Sequence, residues 1–217
     1  MEETNDETQR RLEYSKDILF VTYKNPKSAI EKAFSLFQDG SPNVLEIGGG
    51  NTIQTTLMAL GNPDVNFITT DIYADRPGVP EYAYNTAQWY SGKLLAQVNP
   101  PERTRNLSVL RVSADDALQK IAPDKSINKI LIVHPELEVL NSILTMVLRP
   151  NVESVLRPDW EIIVKPYKPI SQNKRTEQLL RGFMVGDHLD ELYGVNLSEH
   201  VPKSGVSNEH AISLTKK

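Results

Sequence analysis

Between Asn43 and Asp71 the chain packs a strand, a glycine turn, a helix and a second strand into about thirty residues. Asn43–Ile47 (NVLEI) is short and apolar and runs into Gly48-Gly49-Gly50. A helix-like segment follows from Thr52 to Leu60 and stops at Gly61-Asn62-Pro63. Val65–Thr70 is rich in β-forming residues and closes on Asp71. Two strands joined by a helical connection predict a βαβ unit, with a parallel pair and a right-handed crossover.

The alternation continues downstream. Residues 81–98 read as a helix with Ala87, Leu94, Leu95 and Val98 among its apolar positions. Leu107–Val112 reads as a third strand ending at Ser113-Ala114-Asp115-Asp116, and Ala117–Ile121 as a short helix. Lys129–Val133 is a fourth strand ending at His134-Pro135-Glu136, and a helix is expected over 138–148. Asp159–Val164 is a fifth strand, followed by a helix over Thr176–Met184. Leu192–Leu197 and His210–Leu214 are two late strands joined around Pro202–Asn208. No helix-length connection joins them, so they are most simply an antiparallel pair. The expectation is an α/β fold with a mostly parallel, seven-stranded open sheet, an antiparallel C-terminal strand and helices on both faces.

Upstream, Ile30, Ala33, Phe34 and Phe37 follow helical spacing before the stop at Asp39-Gly40-Ser41-Pro42. Residues 1–15 are polar and charged and are expected to be a disordered acidic tail, leaving 16–217 as one domain. The N-terminus has no apolar core of a secretory signal, so a cytoplasmic protein is expected. Apolar runs such as Ile130–Val133 are far too short to span a bilayer. The chain has no cysteine, which removes disulfides, thiolate metal sites and a cysteine nucleophile; no metal site is expected. Net charge is −4, but residues 1–17 hold six acids and three bases, so the other 200 residues carry only −1. The body therefore has no global field to attract nucleic acid.

In open α/β sheets ligands sit outside the carboxyl ends of the strands, where strand order reverses. Four such ends carry polar residues here: Gly48-Gly49-Gly50, Asp71, Asp115-Asp116 and His134-Pro135-Glu136. The glycines let backbone approach a ligand at a helix start, or simply make a tight turn. Asp71, 21 residues after Gly50, suits ribose hydroxyls, or is a solvated loop acid. Asp116 can receive an amine such as adenine N6, or cap the Ala117–Ile121 helix, and Asp115 has the same two readings. A dinucleotide site wants a small residue where Ile53 stands, so a nicotinamide cofactor fits poorly.

The ordered set VLEIGGGNT, TTDIY, SADDAL and ILIVHP resembles the motif series of class I S-adenosylmethionine-dependent methyltransferases, over roughly residues 43–165. The resemblance implies their Rossmann-like fold and a cofactor set of Glu46, Gly48, Gly49, Gly50, Asn51, Asp71, Ile72, Asp115, Asp116, Ala117 and His134. It places Gly48 and Gly50 under the methionine part and gives Glu46 the glycine loop or the methionine ammonium. Asp71 holds the ribose, Asp116 the adenine amine, and Ile72 and Ala117 flank the ring. Thr52 stands where the pattern has its last glycine. A narrower similarity links NLSVLRVSADDALQKIAPDKSINKILI to the tRNA (guanine-N7) methyltransferases, but their phenylalanine-proline-aspartate-proline-tryptophan signature is replaced by Val133-His134-Pro135-Glu136-Leu137-Glu138.

His134 and Glu136, just past strand four, are the candidate catalytic pair: His134 as a base or a turn residue, Glu136 or Glu138 as an amine-orienting acid or a helix starter. Tyr73, Trp89 and Tyr90 can form an aromatic wall or belong to the core. Lys165, Lys168, Lys174, Arg175 and Arg181 follow strand five and can hold phosphates, or form a solvated face. Residues 1–24 can close over the same opening. The expected activity is methyl transfer to a nitrogen or oxygen of a small molecule. The alternatives are RNA methylation through the basic set, and a non-catalytic S-adenosylmethionine-binding protein.

Overall fold

The computed structural model describes residues 4–21, 35, 40–50, 52–71, 82–98, 104–133, 137–147, 150–165, 178, 182, 193–200 and 209–216. Its elements are α1 (Asn5–Ser15), β1 (Leu19–Val21), β2 (Asn43–Ile47), α2 (Ile53–Gly61), β3 (Asn66–Thr70), α3 (Tyr82–Gln97) and β4 (Leu107–Leu110). There follow α4 (Ala114–Asp116), which runs on as a π-helical turn over Ala117–Ile121, β5 (Ile127–Val133), α5 (Leu137–Val147) and α6 (Pro150–Glu153). The chain ends with β6 (Leu156–Lys165), β7 (Tyr193–His200) and β8 (Glu209–Lys216).

The strands form one sheet in the order β1-β4-β3-β2-β5-β6-β8-β7. The first five pairings are parallel and the two involving β8 are antiparallel. The expected mostly parallel sheet and antiparallel end are both present. Among the described residues the sheet has eight strands rather than seven, because Leu19–Val21 adds a short parallel edge beside β4. Strand order reverses at β2: β3 and β4 lie on one side of it, β5 and β6 on the other.

Alternation along the strands sorts the core into two layers. Leu45, Ile47, Ile68, Leu110, Ile130, Ile132, Ile162 and Val164 meet Leu118, Ile121, Leu140, Leu144 and Val152 on one face. Val44, Phe67, Val109, Leu131 and Ile163 meet Ala59 of α2 and Leu95 of α3 on the other. Among the described residues no helix is long and apolar enough to cross a membrane.

Residues 5–15, expected to be a disordered tail, form α1. A capping box starts it: the Glu7 amide donates to Thr4 Oγ1 at 3.3 Å, and the Thr4 amide donates to Glu7 Oε2 at 2.9 Å. The helix then packs on α3 across Gly92, where a β-carbon would meet Arg11 Cγ at 2.6 Å and the Arg11 carbonyl oxygen at 2.7 Å. The expected helices around 30–37 and over 176–184 lie almost wholly outside the described residues.

Asparagines close the amino ends of the parallel strands. Asn43 Nδ2 donates to the Ser126 carbonyl at 2.9 Å, and Asn66 Nδ2 donates to Asn43 Oδ1 at 3.1 Å. Asn106 Nδ2 lies 3.0, 2.9 and 2.8 Å from the carbonyl oxygens of Ala59, Asn62 and Val65 and shares its two hydrogens among them, tying off the α2–β3 turn. At the carboxyl ends Thr70 Oγ1 donates to the Glu46 carbonyl at 3.2 Å, and β2 runs on into the glycine loop.

Candidate functional site

Pair registers align the carboxyl ends: Ile47 is opposite Thr70, Thr70 opposite Leu110, and Ile47 opposite Ile132. Gly48, Asp71 and Arg111 therefore leave three adjacent strands at one level. The Thr70 carbonyl accepts from the amides of Gly48 and Gly49 at 2.8 and 3.1 Å, and the Asp71 amide donates to the Leu110 carbonyl at 3.3 Å. The β2 turn is thus bonded to β3 before it enters α2.

Among the described residues the turn is left-handed at Gly48 (φ +75°), Gly50 (φ +51°) and Thr52 (φ +60°). Gly48 and Gly50 are exposed, and a β-carbon on either would meet nothing within 4 Å. Their need for glycine is conformational. Gly49 differs. A β-carbon there would overlap Thr69 Oγ1 and lie 2.6 Å from Glu46 Oε2. The loop lies flat on those two side chains because Gly49 has none.

Glu46 is 2% exposed and is the floor of the loop. Thr55 Oγ1 of α2 donates to its Oε2. Burial pushes its carboxyl up from the ordinary range; the hydrogen bond from Thr55, the neighbouring Thr69 hydroxyl and the charge of Lys165 pull against that, while Asp71 adds to it. Thr69 and Glu46 are register partners and share a face of the sheet. The parity of the strands puts Lys165 on that face as well.

Lys165 needs a correction. It was expected with a basic set that could grip phosphates, yet it is only 4% exposed. It ends β6, and its charge acts on Glu46 rather than meeting solvent. Lys168, Lys174, Arg175 and Arg181 lie outside the described residues, as do Asn51, Ile72, Tyr73, His134 and Glu136. No side chain is described for Glu138.

At the end of β4 the helix cap is Ser113, not Asp116: Ser113 Oγ accepts from the Asp116 amide at 3.0 Å. Asp115 and Asp116 fill the first turn, where carboxylates suit the helix dipole. Asp116 pairs with Lys120, and Asp115 Oδ1 accepts from Gln119 Nε2 at 2.6 Å. Ala117 is buried behind them. Trp89 and Tyr90 are half-buried and meet edge to face at 4.8 Å, with Lys93 Nζ 4.5 Å from the Trp89 ring centre.

The structure thus brings Glu46, Gly48, Gly49, Gly50 and Asp71 together at the β2–β3 end, with Asp115 and Asp116 beyond β4. The sequence reading missed Thr55, Thr69 and Ser91. Thr69 carried a signal, since it alternates with Asp71 on one strand and so faces the same way. Ser91 carried none, because only the packing of α3 brings it to the loop.

An eight-stranded sheet of this order, with a glycine loop at its reversal point and an antiparallel end, is the Rossmann-like architecture of class I methyltransferases. Residues 40–136 match a family described as putative methyltransferase. No curated protein matches the sequence. Similar solved structures include the 16S rRNA (adenine(1408)-N(1))-methyltransferase from Catenulisporales acidiphilia, with TM-score 0.56 and 11% identity over 86% of this chain and 92% of that one. A mutant of that enzyme with cosubstrate S-adenosylmethionine aligns with TM-score 0.52 and 13% identity, over 86% and 89% of the two chains. The aminoglycoside resistance methyltransferase NpmB1 aligns with TM-score 0.52 and 14% identity, over 88% and 93%. Fold likeness and family match agree on a methyltransferase-like fold, and the cosubstrate that such a fold implies is S-adenosylmethionine.

The residues present fit that cosubstrate. Exposed left-handed glycines give backbone access, and the cradle at Gly49 leaves no room for a side chain. Acids follow the second and third strands of the unit, and carboxylates are the acceptors that hydroxyls and an amine of an adenosyl group would need.

Proposed function

We propose that this protein methylates a base nitrogen of RNA, using S-adenosylmethionine. The observation that carries the methyl-donor half is the cradle of Gly48, Gly49 and Gly50 over Glu46 and Thr69, with Asp71 at the same level one strand away. In this reading Gly48 and Gly50 lie against the methionine portion, Asp71 receives the ribose hydroxyls and Asp116 or Asp115 the adenine amine. Bound S-adenosylmethionine supplies a methyl carbon activated by a sulfonium. The chain's own work is to hold the acceptor in line and to exclude water.

The acceptor half is supported by structural neighbours whose names state action on 16S rRNA, aligned over nearly the whole of both chains. The small-molecule acceptor expected from the near-neutral body has no such support and stands as the second reading. A ring nitrogen without a proton needs no base; an amine or hydroxyl acceptor needs one, and His134 or Glu136 is the proposed group.

The test incubates the protein and labelled S-adenosylmethionine with ribosomal RNA, transfer RNA and a small-molecule extract. Label retained by RNA, released by nuclease and lost in Asp71→Ala supports the proposal. Label confined to the small-molecule fraction overturns the RNA half. Cosubstrate binding with no transfer to any fraction would favour a non-catalytic binding protein.

A further inference from the structure

Thr52 occupies the position of the glycine pattern's last member, and it is a β-branched residue at φ +60°. Such a residue holds the left-handed conformation only where its surroundings impose it. Three buried hydroxyls do so. Thr52 Oγ1 lies 2.7 Å from Ser91 Oγ, Ser91 Oγ lies 2.9 Å from Thr56 Oγ1, and Thr56 Oγ1 donates to the Thr52 carbonyl at 2.8 Å. One proton from each hydroxyl closes the ring: Thr52 donates to Ser91, Ser91 to Thr56, and Thr56 to the Thr52 backbone. The Thr52 amide donates to the Gly49 carbonyl at 2.8 Å, so the ring is continuous with the glycine turn.

We propose that Ser91 of α3 is the positioning residue of the glycine loop, holding Thr52 left-handed and thereby setting the loop for the cosubstrate. Ser91 is fully buried, and α3 is itself held by α1 at the neighbouring Gly92. The loop is therefore anchored to an element outside its own βαβ unit. A glycine at position 52 would need no such anchor, which explains why a loop with threonine there has one. The cosubstrate half of this inference rests on the functional reading above; the loop half does not.

The experiment pairs amide hydrogen exchange across residues 48–56 of the free protein with calorimetric titration of S-adenosylmethionine, for wild type, Ser91→Ala, Thr52→Val, Thr52→Gly and Thr52→Gly/Ser91→Ala. Thr52→Val keeps the shape and removes only the hydroxyl. Ser91→Ala and Thr52→Val should each speed exchange at the position-52 amide and weaken cosubstrate binding about tenfold, the size expected of one lost buried hydrogen bond. Melting temperature should fall by only about 2–4 °C. In the Thr52→Gly background Ser91→Ala should cost little further affinity. Unchanged exchange in Ser91→Ala overturns the anchor. Faster exchange with unchanged affinity overturns the positioning role. A wild type that binds no adenosyl ligand overturns the functional reading and the cosubstrate half with it, while exchange still decides the anchor.

Discussion

Gly49 lies directly over Glu46: a β-carbon on the glycine would come within 2.6 Å of the carboxylate Oε2 while also overlapping Thr69. The middle glycine of the run is thus sterically required, and its neighbours are conformationally required. Gly49→Ala should lose about 2–3 kcal/mol of stability through overpacking, together with cosubstrate binding. Gly50→Ala meets no atom and should lose only about 1 kcal/mol, from its left-handed backbone. Urea unfolding of the two variants checks the order; equal losses would contradict it.

Glu46 predicts a pH dependence. Burial raises its carboxyl above the ordinary value of 4.5, so the folded protein binds that proton more tightly than the unfolded chain. Its contribution to stability is fully present below 4.5 and is lost as pH rises through the raised folded value. Glu46→Gln has no such proton. The wild type should therefore lose stability relative to Glu46→Gln as pH rises above 4.5 and through the raised folded value. Chemical denaturation of both at several pH values tests this, and parallel curves would contradict it.

The frame was legible because it is written locally. NVLEI, the glycine run and NFITTD each declare themselves by composition and punctuation. Leu19–Val21 was missed because three residues carry no period, and only β4 makes them a strand. The first helix was missed by weighing its polarity over its start signal: Thr4 and Glu7 spell a capping box. Lys165 shows the limit of reading charge without direction. Its place in a run of bases suggested solvent, while its parity on Ile162–Lys165 turns it toward Glu46. The Ser91 contact is set by helix packing across 35 and 39 residues of chain and leaves no local trace.

Asn106 separates stability from binding. Its amide serves three carbonyls at the amino ends of the strands, away from the loop. Asn106→Ala should cost about 1–3 kcal/mol in unfolding free energy and leave cosubstrate affinity within twofold, about 0.4 kcal/mol. A large affinity loss would mean that the two ends of the sheet are coupled.

Gly92 tests the seat of α1. Gly92→Val would drive a side chain into the Arg11 backbone, so α1 should leave α3. Faster limited proteolysis within residues 5–15, with a stability loss of about 1–3 kcal/mol, is expected. Unchanged cleavage would contradict the close crossing.

The most direct test of the account is calorimetric titration of the purified protein with S-adenosylmethionine, S-adenosylhomocysteine and NAD, beside Asp71→Ala. The account predicts micromolar binding of both adenosyl ligands, about −8 kcal/mol, at least tenfold weaker in the variant, and none for NAD. Absence of adenosyl binding, or binding indifferent to Asp71, would contradict it.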